Sequence, residues 1–148
     1  MTFTTKYTQL SGLGLTDNDI NWLITQAAIG ETDYTLVYSE QGDDWRIVAH
    51  DEAAKILAEQ FKGELYSLGC FSPWFIADHL NIATDTVEKM QACNGFEALG
   101  ELIAANKLVE FAQKAIDTDG LGNFFNSYDG EETEVCIDGK WFSIMREN

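Results

Sequence analysis

The chain has 148 residues, of which 45% are hydrophobic and 12% aromatic, and this composition excludes an intrinsically disordered protein. This length suits one domain with its own hydrophobic core, so we predict a single compact domain over residues 1–148, with residues 1–15 as a loose lead-in. The 25 acidic and nine basic residues give a formal charge of −16, which disfavours binding to nucleic acid or to an anionic membrane.

The predicted elements alternate between helices and β-hairpins along the chain. They are a helix over residues 16–30, strands over 33–40 and 44–50, helices over 52–61, 72–80, 85–94 and 96–116, the last broken around 104–106, and strands over 132–137 and 140–145. Residues 64–71 fit either a short strand or a loop. This order indicates an α+β fold rather than a wound parallel sheet, and we expect the two hairpins to join in one antiparallel sheet.

Capping and turn residues carry much of this prediction. Thr16 can cap the first helix, and Ser72 can cap the helix that begins with Pro73, because proline is tolerated at the first helical position. The pair Asp138-Gly139 between two β-rich runs matches a two-residue type I′ turn, in which both central residues need a positive φ. The C-terminal hairpin is therefore the clearest element in the sequence.

Residues 75–90 resemble a helix-turn-helix unit, a motif found in many DNA-binding regulators. Asn81 occupies the turn position, where asparagine tolerates the left-handed conformation. The second helix, which would enter the major groove, carries Asp85 and Glu88, spaced like a capping box, and only one base, Lys89. Since carboxylates near phosphates oppose DNA binding, we favour a packing role and keep a DNA-binding regulator as an alternative.

Residues 117–124 resemble the first half of an EF-hand calcium loop. The positions that match are Asp117, Asp119 and Gly122. Leu121 and Tyr128 stand where a side-chain oxygen and a bidentate glutamate are needed, so about three of the usual oxygen ligands are missing. We predict a degenerate loop or an acidic turn, and we expect neither a metal nor a cofactor.

The chain offers few candidates for catalysis. His50 and His79 are its only histidines, and it has no motif of a serine hydrolase, a P-loop, a dinucleotide site or a zinc protease. Among 25 acids, a pairing of carboxylates by spacing carries no information. A small enzyme whose site assembles from dispersed acids and one histidine stays an alternative to a binding protein.

The compartment follows from the cysteines and the chain start. The chain has three widely spaced cysteines, and this odd number predicts neither a disulfide framework nor a zinc site. They are Cys70, Cys93 and Cys136. The first residues lack a basic stretch followed by an apolar run, so we expect no signal peptide. No apolar run reaches the roughly 18–20 residues of a membrane span. We therefore expect a cytoplasmic protein.

The acids are concentrated towards the two ends of the chain, and residues 115–139 contain seven acids and no base. Some of these acids adjoin aromatic residues, a combination that suits an interface with a basic partner protein. The candidate partner-binding residues are Asp43, Asp44, Trp45, Asp129, Glu131, Glu132, Glu134 and Asp138. If they share a surface, electrostatic steering would make association fast and salt-sensitive.

Small size, strong acidity, the absence of a catalytic set and the expected compartment together resemble the small acidic proteins of phages and plasmids, including anti-restriction and anti-CRISPR inhibitors, as well as immunity proteins. This resemblance is one of type and implies no particular functional residues. It implies a non-enzymatic inhibitor or DNA mimic that occupies the basic groove of a nucleic-acid-handling enzyme. Duplex DNA carries one negative charge per roughly 3.4 Å of axis on each strand, which is the density that a mimic has to approach.

Overall fold

The computed structural model describes residues 12–36, 39, 42–126 and 128–147, and over these ranges the fold is α+β, as predicted. The helices are α1 (Asp17–Ala28), α2 (His50–Lys62), α3 (Leu65–Gly69), α4 (Pro73–Leu80), α5 (Thr84–Ala92), α6 (Phe96–Ala104), α7 (Leu108–Asp119) and α8 (Leu121–Phe125). The strands are β1 (Asp33–Leu36), β2 (Trp45–Ala49), β3 (Thr133–Ile137) and β4 (Lys140–Arg146). None of the helices in these ranges has the length and apolarity needed to cross a membrane.

The chain divides into two compact units. The sheet unit comprises residues 1–53 and 119–148, and the helical unit comprises residues 54–118. The prediction of one domain over the whole chain stays a prediction. Residues 1–11 of the expected lead-in lie outside the described residues, but Leu15 at its end is only 4% exposed and packs in the core of the sheet unit.

The four strands form one antiparallel sheet in the order β1-β2-β4-β3, which confirms that the two hairpins join. Ile137 pairs with Lys140 across the C-terminal hairpin, so only two residues make its turn. Asp138 and Gly139 have φ angles of 52° and 80°, as the predicted type I′ turn requires. The second strand of the first hairpin is shorter than predicted, because β2 runs from Trp45 to Ala49 and α2 begins directly at His50. Residues 37, 38 and 40 of the predicted first strand lie outside the described residues.

The strand register sorts the side chains of the sheet unit onto two faces, because paired residues share a face and neighbours along a strand alternate. One face packs against α1 and forms the core with Leu15, Ile20, Leu23, Trp45, Ile47, Ala49, Val135, Ile137, Phe142 and Ile144. The other face carries Val48 and Glu134, both opposite Ser143. This second face holds the polar cluster described below.

The start of α1 is fixed by the capping predicted for Thr16. The backbone N–H of Asp19 donates to Thr16 Oγ1 (3.3 Å), and the backbone N–H of Thr16 donates to Asp19 Oδ2 (3.3 Å). These two bonds form a capping box, which satisfies N–H groups that have no partner within the helix. The helix therefore begins at Asp17 and presents Ile20 and Leu23 to the sheet.

Tyr34 ties β1 to α1, because its hydroxyl donates to the backbone carbonyl of Leu23 (2.9 Å). Burial, and then the charge of Glu31, raise the pKa of Tyr34 well above its ordinary value of 10.0. The phenol ionises more readily in the unfolded chain, so this stabilisation is complete below about pH 10 and is lost as the pH rises through the raised folded pKa. Between about pH 10 and the raised folded pKa, we expect stability to fall by up to about 1.4 kcal/mol per pH unit.

Urea unfolding at a series of alkaline pH values measures this loss, and Tyr34→Phe is the matched variant because it removes only the hydroxyl. The variant should lose less stability between neutral and alkaline pH than the unmodified chain. An identical alkaline loss in both proteins would contradict the assignment to Tyr34.

An aromatic cluster forms the centre of the helical unit. The Phe111 ring of α7 is fully buried, and its centroid lies 5.0 Å from that of Phe71 and 5.2 Å from that of Phe75. His79 packs on the same ring at 5.0 Å, and its Nε2 lies 2.6 Å from the backbone carbonyl oxygen of Asn106 and donates to it. One of the two histidines therefore has a packing role in this unit.

Helices α3 and α6 are in backbone contact through two glycines. A Cβ atom on Gly69 would lie 1.9 Å from the carbonyl oxygen of Phe96, and one on Gly100 would lie 1.8 Å from that of Leu65. Most of the stretch 64–71 forms the short helix α3, which corrects the prediction of a strand or loop. Cys70, which follows α3, is exposed.

The helix-turn-helix resemblance corresponds to α4 and α5. Asn81 has a φ of 56°, as the turn requires, and the N–H of Ile82 donates to the carbonyl of Ala77 (3.1 Å). Two capping predictions were wrong: Ser72 makes no side-chain cap bond, and α5 begins at Thr84 after Ala83 rather than at an Asp85 capping box.

The stretch that resembles a calcium loop is mostly helical. Asp117 and Asp119 belong to α7, and residues 121–125 form α8. Leu121 and Phe125 are buried, so α8 is held by its apolar side chains. Residues 117–124 match the sequence of half an EF-hand loop but do not adopt the loop conformation that coordinates calcium.

Candidate functional site

Several predicted partner-binding residues lie around one small cleft in the sheet unit. The cleft has a volume of about 160 Å³ and is lined by Leu13, Trp45, Asp129, Glu131, Glu132, Thr133, Ile144 and Arg146. We call it the acidic cleft, because three of its lining residues are carboxylates. The sequence placed Trp45 and these acids in separate segments, and the β2–β4–β3 register brings the segments together.

Arg146 lines the acidic cleft and also contacts Asp43, which belongs to the other predicted partner-binding segment. Its Nη2 donates to Asp43 Oδ1 (2.8 Å), and its guanidinium lies 5.5 Å from the ring centroid of Tyr128. Asp43 therefore lies beside the acidic cleft, and Tyr128, which is 54% exposed, offers an aromatic surface there. The guanidinium stacked on this ring gains cation–π stabilisation in addition to its ion pair.

Trp45 does not have the place predicted for it. The side chain is only 6% exposed and belongs to the core that packs on α1. A partner can contact only the part of Trp45 that lines the acidic cleft, so it is not an exposed aromatic anchor. Its burial follows from its place on β2, where it shares with Ile47 and Ala49 the face of the sheet that forms the core.

The other predicted residues occupy different parts of the sheet unit. Asp44 is half-buried, and its carbonyl accepts a hydrogen bond from the N–H of Glu147 (2.9 Å), which extends the β2–β4 ladder. Asp138 is exposed in the turn of the C-terminal hairpin, and Glu134 is exposed on β3. Glu134 shares a sheet face with His50 and is therefore considered with the following cluster.

A polar cluster forms where α2 begins beside the sheet. His50, Glu132 and Glu134 each place one potential ligand atom within 4.8 Å of the others. Ser143, which is fully buried, lies between two of them: its Oγ is 2.7 Å from His50 Nε2 and donates to Glu132 Oε2. We call these four residues the His50 cluster.

The hydrogen-bond partners in the His50 cluster determine which group donates the proton in each bond. Ser143 has one hydroxyl proton, and it goes to the Glu132 carboxylate, which only accepts. His50 Nε2 must then donate to Ser143 Oγ. In a serine hydrolase the serine gives its proton to the histidine instead, so this arrangement does not activate Ser143 as a nucleophile.

A second cleft lies beside this cluster. It has a volume of about 410 Å³ and is lined by His50, Asp51, Gly139, Lys140 and Trp141. Lys140 Nζ lies 3.8 Å from Asp51 Oδ2, and Trp141 is 48% exposed. The cleft thus combines an imidazole, an ion pair and an indole, which are groups able to contact a small polar molecule.

Sequence reasoning did not identify the His50 cluster. It named His50, Glu132 and Glu134 separately and expected no metal site, because only the strand register brings them together. Ser143 was the available signal, since one hydroxyl stands within the buried run Phe142–Met145 and a buried hydroxyl needs partners. The chain matches no protein-family model, no curated protein and no solved structure.

Proposed function

We propose that the chain is a non-enzymatic binding protein whose sheet unit engages a basic surface of a partner protein. The observation that carries this proposal is the distribution of charge. The sheet unit contains 16 of the 25 acids and four of the nine bases, so it holds −12 of the net charge of −16. The helical unit has nine acids and five bases, so it holds only −4 of the net charge.

The described bases of the sheet unit are already engaged with carboxylates. Arg46 makes a bidentate pair with Asp33 (2.9 and 2.8 Å), which raises the pKa of its guanidinium. The other two pairs are Lys140 with Asp51 and Arg146 with Asp43. In contrast, the exposed side chains of Glu131 and Glu134 have no ion pair among the described residues.

This excess of carboxylate supports an electrostatic mode of recognition. Potentials from many like charges steer an oppositely charged partner and raise its association rate, and salt screens the effect. Enzymes that handle nucleic acid present basic grooves of the required sign. We therefore propose such an enzyme as the partner class, with the chain acting as an inhibitor or DNA mimic of the phage and plasmid type in the cytoplasm.

A capture experiment with charge-matched variants tests this proposal. The bait variant Glu131→Gln/Glu134→Gln/Asp138→Asn removes three exposed charges from the sheet unit. The control variant Asp85→Asn/Glu88→Gln/Glu97→Gln removes three exposed charges from the helical unit. Basic proteins from the native host are captured with a metal chelator present, and the captured protein is then purified for affinity measurements.

We expect the sheet-unit variant to bind the purified partner at least about tenfold more weakly at low salt, and the control variant to change the affinity less than about twofold. We also expect duplex DNA to compete with the chain for this partner. Equal retention by the two variants, or a partner that binds the chain and DNA together, would reject the proposal.

One observation favours the enzyme alternative. His50, Glu132 and Glu134 meet beside the larger cleft, so one histidine and two carboxylates are assembled from distant parts of the chain. The DNA-binding alternative lacks comparable support, because Asp85 and Glu88 are exposed on α5 and oppose phosphate binding.

A further inference from the structure

The His50 cluster contains three side chains of metal-binding type on one face of the sheet. Glu134 lies directly opposite Ser143, and Glu132 is two residues earlier in the chain, so both glutamates point to that face. His50 follows β2 two residues after Val48, which pairs with Ser143 from the other side. An imidazole and two carboxylates therefore converge from two chain segments that lie on either side of β4.

Hydrogen bonds hold two of the three side chains in place. Glu132 accepts from Ser143 Oγ through Oε2 and from the backbone N–H of Gly122 through Oε1 (3.1 Å). His50 donates through Nε2 to the same serine. In a neutral imidazole this leaves Nδ1 with a lone pair, and a histidine that donates its other N–H to a fixed acceptor is the usual arrangement around a bound metal.

From this arrangement we propose that His50, Glu132 and Glu134 bind a divalent first-row transition-metal ion. Imidazole and carboxylate together suit such ions, whereas calcium takes an all-oxygen set. Metal–ligand bonds of about 2.0–2.2 Å place ligand atoms roughly 3.0–3.6 Å apart, so ligand atoms that already lie within 4.8 Å of one another need to approach by no more than about 1.8 Å. The exposed side chain of Glu134 is free to rotate and make this movement.

Manganese(II) is the probe, because it prefers oxygen and nitrogen ligands and leaves the exposed thiols of Cys70 and Cys93 aside. The two histidines give a built-in comparison by NMR. Substoichiometric Mn²⁺ should broaden the ring signals of His50 more strongly than those of His79, because paramagnetic broadening falls steeply with distance and only His50 would be a ligand. Broadening of both rings to the same extent, or of neither, would overturn the proposal.

Affinity measurements separate a defined site from diffuse attraction to acids. The electron paramagnetic resonance signal of free Mn²⁺ gives the Kd of each variant. Glu134→Gln and His50→Gln should each weaken binding at least about tenfold, whereas Glu131→Gln, which removes the same charge nearby, should change it less than about twofold. Glu134 and Glu131 are both exposed, so neither variant depends on refolding of the core. Equal losses for Glu131→Gln and Glu134→Gln would reject the site.

Discussion

Replacing Phe111 with alanine is expected to lower the free energy of unfolding by about 3–5 kcal/mol. The ring is fully buried, and four other rings surround it, so its removal loses both buried apolar area and edge-to-face contacts. These rings are Phe61, Phe71, Phe75 and His79. Part of the resulting space stays empty, because neighbours on separate helices cannot all move inwards, and this cavity adds to the cost.

Urea unfolding followed by far-ultraviolet circular dichroism measures this loss. Val109→Ala is the matched control, since Val109 is on the same helix but 45% exposed, and it should cost less than about 1 kcal/mol. Similar costs for the two substitutions would show that Phe111 is not the centre of this cluster.

Gly100→Ala is expected to destabilise the protein by about 2–3 kcal/mol, even though alanine has the higher helix propensity. The added Cβ would lie 1.8 Å from the backbone carbonyl oxygen of Leu65, and no side-chain rotation relieves a contact with backbone. Helices α3 and α6 would have to separate along their crossing. Gly69→Ala meets the Phe96 carbonyl at 1.9 Å and should have an effect of the same size.

The control for this pair is Gly63→Ala, where the nearest atom to the new Cβ is 3.6 Å away. This variant should change stability by less than about 0.5 kcal/mol. The double variant Gly69→Ala/Gly100→Ala should cost less than the sum of the single costs, because one helix separation relieves both contacts. If the costs of the two single variants add up fully in the double variant, or if Gly100→Ala leaves the stability unchanged, the close crossing of α3 and α6 would be contradicted.

The elements that could be predicted are those whose ends depend on short-range chemistry. The residues at these ends set the local structure through their own backbone geometry or through partners within a few residues. Examples are Thr16, Pro73, Asn81 and the Asp138-Gly139 turn. The sequence of α3 has no such signal. Its helix is accompanied by the close contact of Gly69 with α6, a tertiary feature that local patterns do not encode.

The candidate site was predicted less completely than the fold. The acidic segment around residue 131 was visible from composition, but the burial of Trp45 depends on which face of β2 meets α1. The meeting of His50 with Glu132 and Glu134 depends on the alignment of β2 with the C-terminal hairpin of β3 and β4, which is distant from it in the chain. A shift of one residue in that register would send the glutamates to the opposite face.

The position of β3 in the sheet has a consequence for solubility at high protein concentration. Among the described strands β3 pairs only with β4, so its outer edge leaves backbone groups open to pairing with another molecule. Carboxylates at Glu132 and Glu134 repel the same strand of a second copy, which protects this edge from growing into an aggregate. Acids that attract a foreign basic surface would at the same time keep identical chains apart.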